Sequence, residues 1–171
     1  MFRRSFEIVG KLQSAKLHLF ADTTYQLFVN GEFVEFGPVR FDPRYPLFDT
    51  HDLARYLKPG KNVIAVQVNY FGLHTFKSLP ARGGMIGWGT IVPESGEPIS
   101  LVTGEGLWRC AASGAHARYA SALSFGLNAA DLFDQGGEED GWKEAAFEDR
   151  HWQAELPLTK QGSWGSLEPR S

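Results

Sequence analysis

Residues 25–72, YQLFVNGEFVEFGPVRFDPRYPLFDTHDLARYLKPGKNVIAVQVNYFG, couple a tight hairpin to an alternating strand, and that pairing decides the fold. Tyr25 to Val29 and Phe33 to Phe36 are aromatic and β-branched runs. Asn30-Gly31 between them can take the positive φ angles that a short hairpin turn demands. After a Pro-rich excursion, Pro59-Gly60 turns the chain into Asn62 to Tyr70. There Val63, Ala65, Gln67 and Asn69 alternate with Ile64, Val66, Val68 and Tyr70 at period two. One face is more apolar than the other, the pattern of an antiparallel sheet packed on one side.

Working outward, Phe2, Phe6 and Ile8 and then Leu17, His18, Leu19 and Phe20 supply the opening strands, joined by the polar turn Gly10 to Ser14. Gly84 to Val92, Ile99 to Thr103 and Leu107 to Ala111 read as further strands, each bounded by Gly, Pro or Ser. No helical pattern is long enough to serve as a crossover, so the expected fold is all-β, an antiparallel jelly-roll β-sandwich with one or two short helices. The helical stretches are His51 to Leu57 and Trp142 to Trp152, where Trp142, Ala145, Ala146 and Phe147 share a face. Residues 1–156 are expected to form the sandwich domain. Residues 157–171, ending in SWGSLEPRS, read as an extended exit segment or linker without a core of its own.

A chain of 171 residues buries roughly 70% of its unfolded surface in one domain. The single Cys110 cannot pair within the chain, so a disulfide framework and a multi-cysteine zinc site are both excluded, and the compartment stays open. Seventeen basic and twenty acidic residues give a formal charge of −3. The basic residues are scattered rather than striped, which argues against nucleic acid as a partner. No apolar run approaches the roughly 20 residues that cross a bilayer, and Met1 to Phe6 lacks the apolar core of a signal peptide, so no membrane partner is expected.

Catalytic templates are absent: there is no G-x-S-x-G elbow, no phosphate-binding loop and no H-E-x-x-H helix. His18, His51, His74, His116 and His151 are too dispersed for a metal cluster. Asp131, Asp134, Glu138, Glu139 and Asp140 carry the hard oxygen ligands calcium prefers, but their spacing matches no EF-hand, and the expectation is no cofactor with calcium as the alternative. Read as a glycosidase acid and base, the same carboxyls lack an implied cleft. Aromatic residues are the better clue. Sugars lay their C–H faces on rings while Arg, Asp and Asn meet their hydroxyls. That reading selects Arg44, Tyr45, Tyr70, His74, Arg82 and Trp88 as candidate carbohydrate contacts; the competing reading of such rings, at 13% aromatic content, is sandwich core.

The chain resembles the N-terminal β-sandwich region of bacterial α-L-rhamnosidases and related glycoside hydrolases, with a galactose-binding-domain-like jelly roll. The resemblance is carried by the opening strand FRRSFEI, by FADTTYQLFVNGEFVEFGPVR, and by DPRYPLFDTHDLARYLKPGKNVIAVQVNYFG. It continues in GLNAADLFDQ, GWKEAAFEDRHW and the exit segment SWGSLEPRS. The Asn-Gly hairpin and the strand after it are also similar to jelly rolls of β-galactosidase and β-glucuronidase relatives. The Arg40 to Asp49 loop and the Trp164 to Arg170 exit favour the rhamnosidase side. What the resemblance implies is a non-catalytic accessory domain, since in that family the acid and base belong to a large α-helical barrel that follows. No catalytic residue can be carried onto this sequence. The implied partners are the catalytic domain of the same parent chain and a rhamnose-containing glycan, with the loops Phe36 to Phe48 and Tyr70 to Gly84 as candidate contacts. The alternatives are a free-standing carbohydrate-binding module and a purely structural spacer. Trp152 is expected in the core.

Overall fold

The computed structural model describes residues 1–76, 78–79, 81–127, 130–158 and 164–170. Among them run β1 (Phe2–Ile8), β2 (Leu12–Asp22), β3 (Thr24–Val29), β4 (Glu32–Gly37), β5 (Leu47–Asp52), β6 (Gly60–Asn69) and β7 (Gly84–Pro93), then the two-residue strands β8 (Ile99–Ser100), β9 (Arg109–Cys110), β10 (Gln153–Ala154) and β11 (Glu168–Pro169). The hairpin is present as read. Val29 pairs with Glu32 across a two-residue turn in which Asn30 has φ 52° and Gly31 φ 84°. Both central residues are left-handed, which matches the twist of the flanking strands.

The strands form two sheets, a first in the order β10-β9-β1-β6-β3-β4 and a second in the order β11-β5-β2-β7-β8. All pairings are antiparallel except β11 on β5. The chain changes sheet from β1 to β2 and again from β2 to β3, so sequence neighbours face each other across a common core. Leu17, Leu19 and Ala21 of β2 and Met85 and Ile91 of β7 meet Ile8, Leu27, Val29, Ile64 and Val66 of the first sheet. This is the β-sandwich expected from the sequence. Trp108 is fully buried in this core and its indole N–H donates to the Leu101 carbonyl at 3.2 Å, which satisfies the ring's one polar atom.

The outer face of the first sheet corrects two expectations. First, the middle of β6 is covered on both faces: Ala65, on the side away from the main core, packs with Met1 and Phe28 under Trp142 and Trp152. Second, residues 142–152 form no helix but a run of turns. The N–H groups of Trp142, Glu144, Phe147 and Trp152 reach back three residues to the carbonyls of Glu139, Gly141, Glu144 and Asp149. The cause is Arg3, a fully buried side chain on the outer face of β1. Its guanidinium donates to the carbonyls of Trp142, Glu144 (3.2 Å) and Phe147 (3.3 Å) and, through Nε, to Asp149 at 3.0 Å. A helix would have used those carbonyls itself; the arginine takes them and pins the segment to the sheet. Trp152, 3% exposed, is core as expected, and its indole N–H is accepted by Glu139 at 3.1 Å.

Within His51 to Leu57 only Ala54–Tyr56 is helical, as one 3-10 turn; His51 and Asp52 belong to β5. A second 3-10 turn spans Gln135–Gly137. Of the exit segment, residues 159–163 and 171 lie outside the described residues. Residues 164–170 lie along the second sheet: Trp164 packs edge-on to Phe20 at 5.0 Å and donates to Asp22 at 2.9 Å, and β11 pairs with β5.

Candidate functional site

The loops 38–46 and 70–83 lie together, brought near each other by β4, β5, β6 and β7. Arg44 forks onto Asp42 (Nη2 to Oδ2 2.6 Å, Nε to Oδ1 3.0 Å), and its backbone N–H adds a third bond at 2.9 Å. These bonds hold the Asp42 carboxyl down at about 2. The guanidinium lies 5.8 Å from the Tyr45 ring, and both side chains are exposed. Arg40 spans the loops by donating to the Phe76 carbonyl and lying over the Phe76 ring. His74 meets Phe125 edge-on at 5.9 Å. Arg40, Asp42, His74 and Phe125 border a cleft of about 490 Å³. Arg44 reaches it through Asp42.

The other sequence-selected residues go elsewhere. Tyr70 donates to the Ala81 carbonyl at 2.8 Å and braces its own loop. Arg82 lines a largely apolar cavity of about 540 Å³ with Met85, Ile86, Leu156, Leu158 and Trp164. Trp88 sits on the outer face of the second sheet, stacked on His18 at 5.2 Å and edge-on to Phe48 at 4.7 Å. Of the six sequence-selected residues the structure therefore places only His74 on this cleft; Arg44 touches it indirectly, through the lining residue Asp42, Tyr45 stands exposed beside Arg44, and Tyr70, Arg82 and Trp88 lie apart from it.

At the root of the same loops is a buried polar network. The Tyr25 hydroxyl donates to Asp49 Oδ2 at 2.6 Å and lies 2.9 Å from His51 Nε2, while Arg170 donates to Asp49 Oδ1 at 3.1 Å. Burial, then the Asp49 carboxylate, pushes the Tyr25 hydroxyl far above its ordinary range; burial pushes His51 down against the opposite pull of Asp49. Gly37 admits this network, because a Cβ there would fall 2.5 Å from both the Tyr25 hydroxyl and Asp49 Oδ2. The four side chains knit β3, β5 and the exit segment together.

Sequence reasoning passed over one further cluster. On the outer face of the first sheet Gln26 is registered against Gln67, and Thr24 against Asn69. Gln67 Nε2 donates to His116 Nε2 at 2.7 Å, leaving the ring proton on Nδ1 for Asp131 Oδ1 at 2.9 Å. The signal was available: positions 63, 65, 67 and 69 share one face and change from apolar to amide along it. Three of the other acidic residues have partners within the chain. Asp134 caps a 3-10 turn, Glu138 accepts from Lys143 at 2.9 Å and Trp142 at 3.0 Å, and Glu139 from His151 at 3.0 Å. Among the described residues no three His, Cys, Asp or Glu side chains come together as metal ligands, and no helix is long and apolar enough to cross a membrane.

This architecture defines a two-sheet β-sandwich module with loop clefts and a polar outer-face cleft. No family model and no curated protein sequence matches the chain. Solved structures do. The GH78 family rhamnosidase of Bacillus sp. GL1 is 32% identical and aligns over 99% of this chain with a TM-score of 0.83, and the chain spans 18% of that enzyme. An α-L-rhamnosidase from Dictyoglumus thermophilum shares the fold at TM-score 0.77 and 20% identity, again over 99% of this chain and 18% of its own. A lectin from Pleurotus ostreatus shares it more loosely, at TM-score 0.55 and 18% identity, over 90% of this chain and 34% of that one. The chain is thus similar along nearly its whole length to one region of GH78 α-L-rhamnosidases, and it spans under a fifth of the length of these two enzymes.

Proposed function

We propose that this chain is a non-catalytic accessory domain of a longer α-L-rhamnosidase-like glycoside hydrolase, where it supports the catalytic domain. The observation that carries the reading is the match of 99% of the chain to 18% of a rhamnosidase at 32% identity. The surface agrees with it. Tyr119, Leu123, Phe125, Leu127, Leu132 and Phe133 are large apolar side chains between 48% and 92% exposed along one stretch of chain, more than an isolated domain ordinarily presents to water. The Phe76 N–H donates to the Phe125 carbonyl at 2.7 Å, which links that stretch to the 70–83 loop. The remaining polypeptide is the partner such a surface fits. The test is the open reading frame past the Ser171 codon, followed by assay of both forms on an aryl α-L-rhamnoside. A frame of several hundred further residues, with activity in the long form and none in this chain, is expected. Enzyme-like hydrolysis by this chain alone would overturn the accessory reading.

A second reading is glycan contact through Arg44, Tyr45, Tyr70, His74, Arg82 and Trp88, favoured by the fold shared with a lectin. It expects Trp88→Ala or Arg82→Ala to weaken glycan binding while leaving the fold intact. If those substitutions change only stability, a structural spacer role stands instead.

A further inference from the structure

The outer face of the first sheet changes character partway along. At the level of Phe28 and Ala65 it is closed by Trp142 and Trp152. At the next two levels Gln26 faces Gln67 and Thr24 faces Asn69, all of them half-exposed. The side-chain amides of Gln26 and Asn69 make no hydrogen bond to another described residue. Aromatic rings stand at the sides: Phe36, the β4 partner of Gln26 and 54% exposed, and Phe71, whose N–H is held by Thr23 Oγ1 at 3.2 Å. His116 and Asp131 border the remaining side, anchored by the antiparallel bridge between His116 and Phe133. Together they enclose a cleft of about 260 Å³.

An amide carries both a donor and an acceptor in one plane, the complement of vicinal hydroxyls, and ring faces take up the C–H side of a pyranose. The Asp131–His116–Gln67 relay fixes the Gln67 amide while leaving its carbonyl oxygen and second N–H uncommitted, so its orientation is set before a ligand arrives. Among the described residues the cleft is bordered by one carboxylate and by no lysine or arginine, which disfavours phosphates and uronates. Its volume lies below that of drug-sized pockets and suits one sugar ring. We propose that this cleft binds a single neutral pyranose, free or at the end of a glycan, through Gln26, Gln67 and Asn69 between the rings of Phe36 and Phe71, with Asp131 as a hydroxyl acceptor and as the anchor of the relay. The site is separate from the six loop and sheet residues named above, and it stands or falls independently of the accessory role.

The test is titration of the 15N-labelled 171-residue chain with L-rhamnose, methyl α-L-rhamnopyranoside, methyl β-D-galactopyranoside and methyl β-D-glucopyranoside, followed through the side-chain NH2 resonances of Gln26, Gln67 and Asn69. At least one probe is expected to shift all three saturably. Comparable binding of L-rhamnose and its methyl glycoside assigns a chain end; binding of the reducing sugar alone assigns a free monosaccharide. Either result supports the cleft. Gln67→Ala is expected to weaken binding about tenfold, the effect of roughly one lost hydrogen bond. Asp131→Asn keeps the shape and is also expected to weaken it. Arg150→Ala, at an exposed side chain outside the cleft, is expected to leave affinity unchanged, and sodium D-galacturonate to bind less well than the neutral sugars. Flat titrations with every probe on a chain whose spectrum is that of a folded protein would overturn the proposal. So would saturable shifts confined to the surroundings of Tyr45 or Trp88. A reading frame that stops at Ser171 would remove the accessory role and leave this cleft standing.

Discussion

Arg3 is the residue on which the outer layer turns. A buried guanidinium persists only when its donors are all answered, and here three carbonyls and one carboxylate answer them. Arg3→Met is therefore expected to lower stability by about 3–5 kcal/mol, the usual cost of breaking a buried pair by removing one partner, read as a shifted urea midpoint. A midpoint within error of the parent would mean that Asp149 and the freed carbonyls find water at no cost. His51 supplies a second residue-scale test. Burial holds its imidazole below the ordinary value of about 6.5. As pH falls below about 6.5, the unfolded chain takes up a proton that the folded chain refuses, so stability contributed at neutral pH is lost on acidification. The urea midpoint should drop further between about pH 7.5 and pH 5.5 in the parent than in His51→Gln. Equal drops would place the loss on another group.

At the scale of elements, the turn run 142–152 depends on its indoles. Trp152→Ala is expected to cost about 3–5 kcal/mol and to open the segment to proteases; normal thermal stability would refute its place under the sheet. The contrast with the rest of the fold shows what the sequence could carry. The Asn30-Gly31 turn and the strands Phe2–Ile8, Gly60–Asn69 and Gly84–Pro93 were legible because hydrophobic period and turn chemistry are local properties. Residues 142–152 were not, since their apolar spacing also suits a helix and the deciding donor, Arg3, is 139 residues from Trp142 in sequence. β5 was hidden in a Pro-rich stretch, where Asp49 and His51 face inward only because Tyr25 and Arg170 meet them. The outer-face cleft escaped for a related reason. Gln67 and Asn69 were visible as the polar positions of β6, but Gln26 needs strand register, and His116 and Asp131 need the fold, to be placed beside them.

For the whole molecule, the exit segment is part of the stability account. Cutting the chain after Leu158 removes β11, the Trp164–Asp22 bond and the Arg170–Asp49 pair. Loss of the charged hydrogen bond alone is expected to cost about 1.5–3 kcal/mol, measured by calorimetry against the full chain. An unchanged melting temperature would make residues 159–171 a passive tail.

The arrangement of strands also bears on how the molecule meets copies of itself. Both edges of the second sheet and one edge of the first end in two-residue strands, too short to template another chain. That leaves β4 as the one edge strand longer than two residues among the described residues, with Phe33 and Phe36 exposed along it. Glu32 and Glu35 stand on the same strand, and the register shift between Leu27 and Phe28 kinks the pairing beside it. These two carboxylates act as gatekeepers. Replacing both with valine would leave the sandwich intact and turn its last ribbon into a seed for sheet-to-sheet polymerisation.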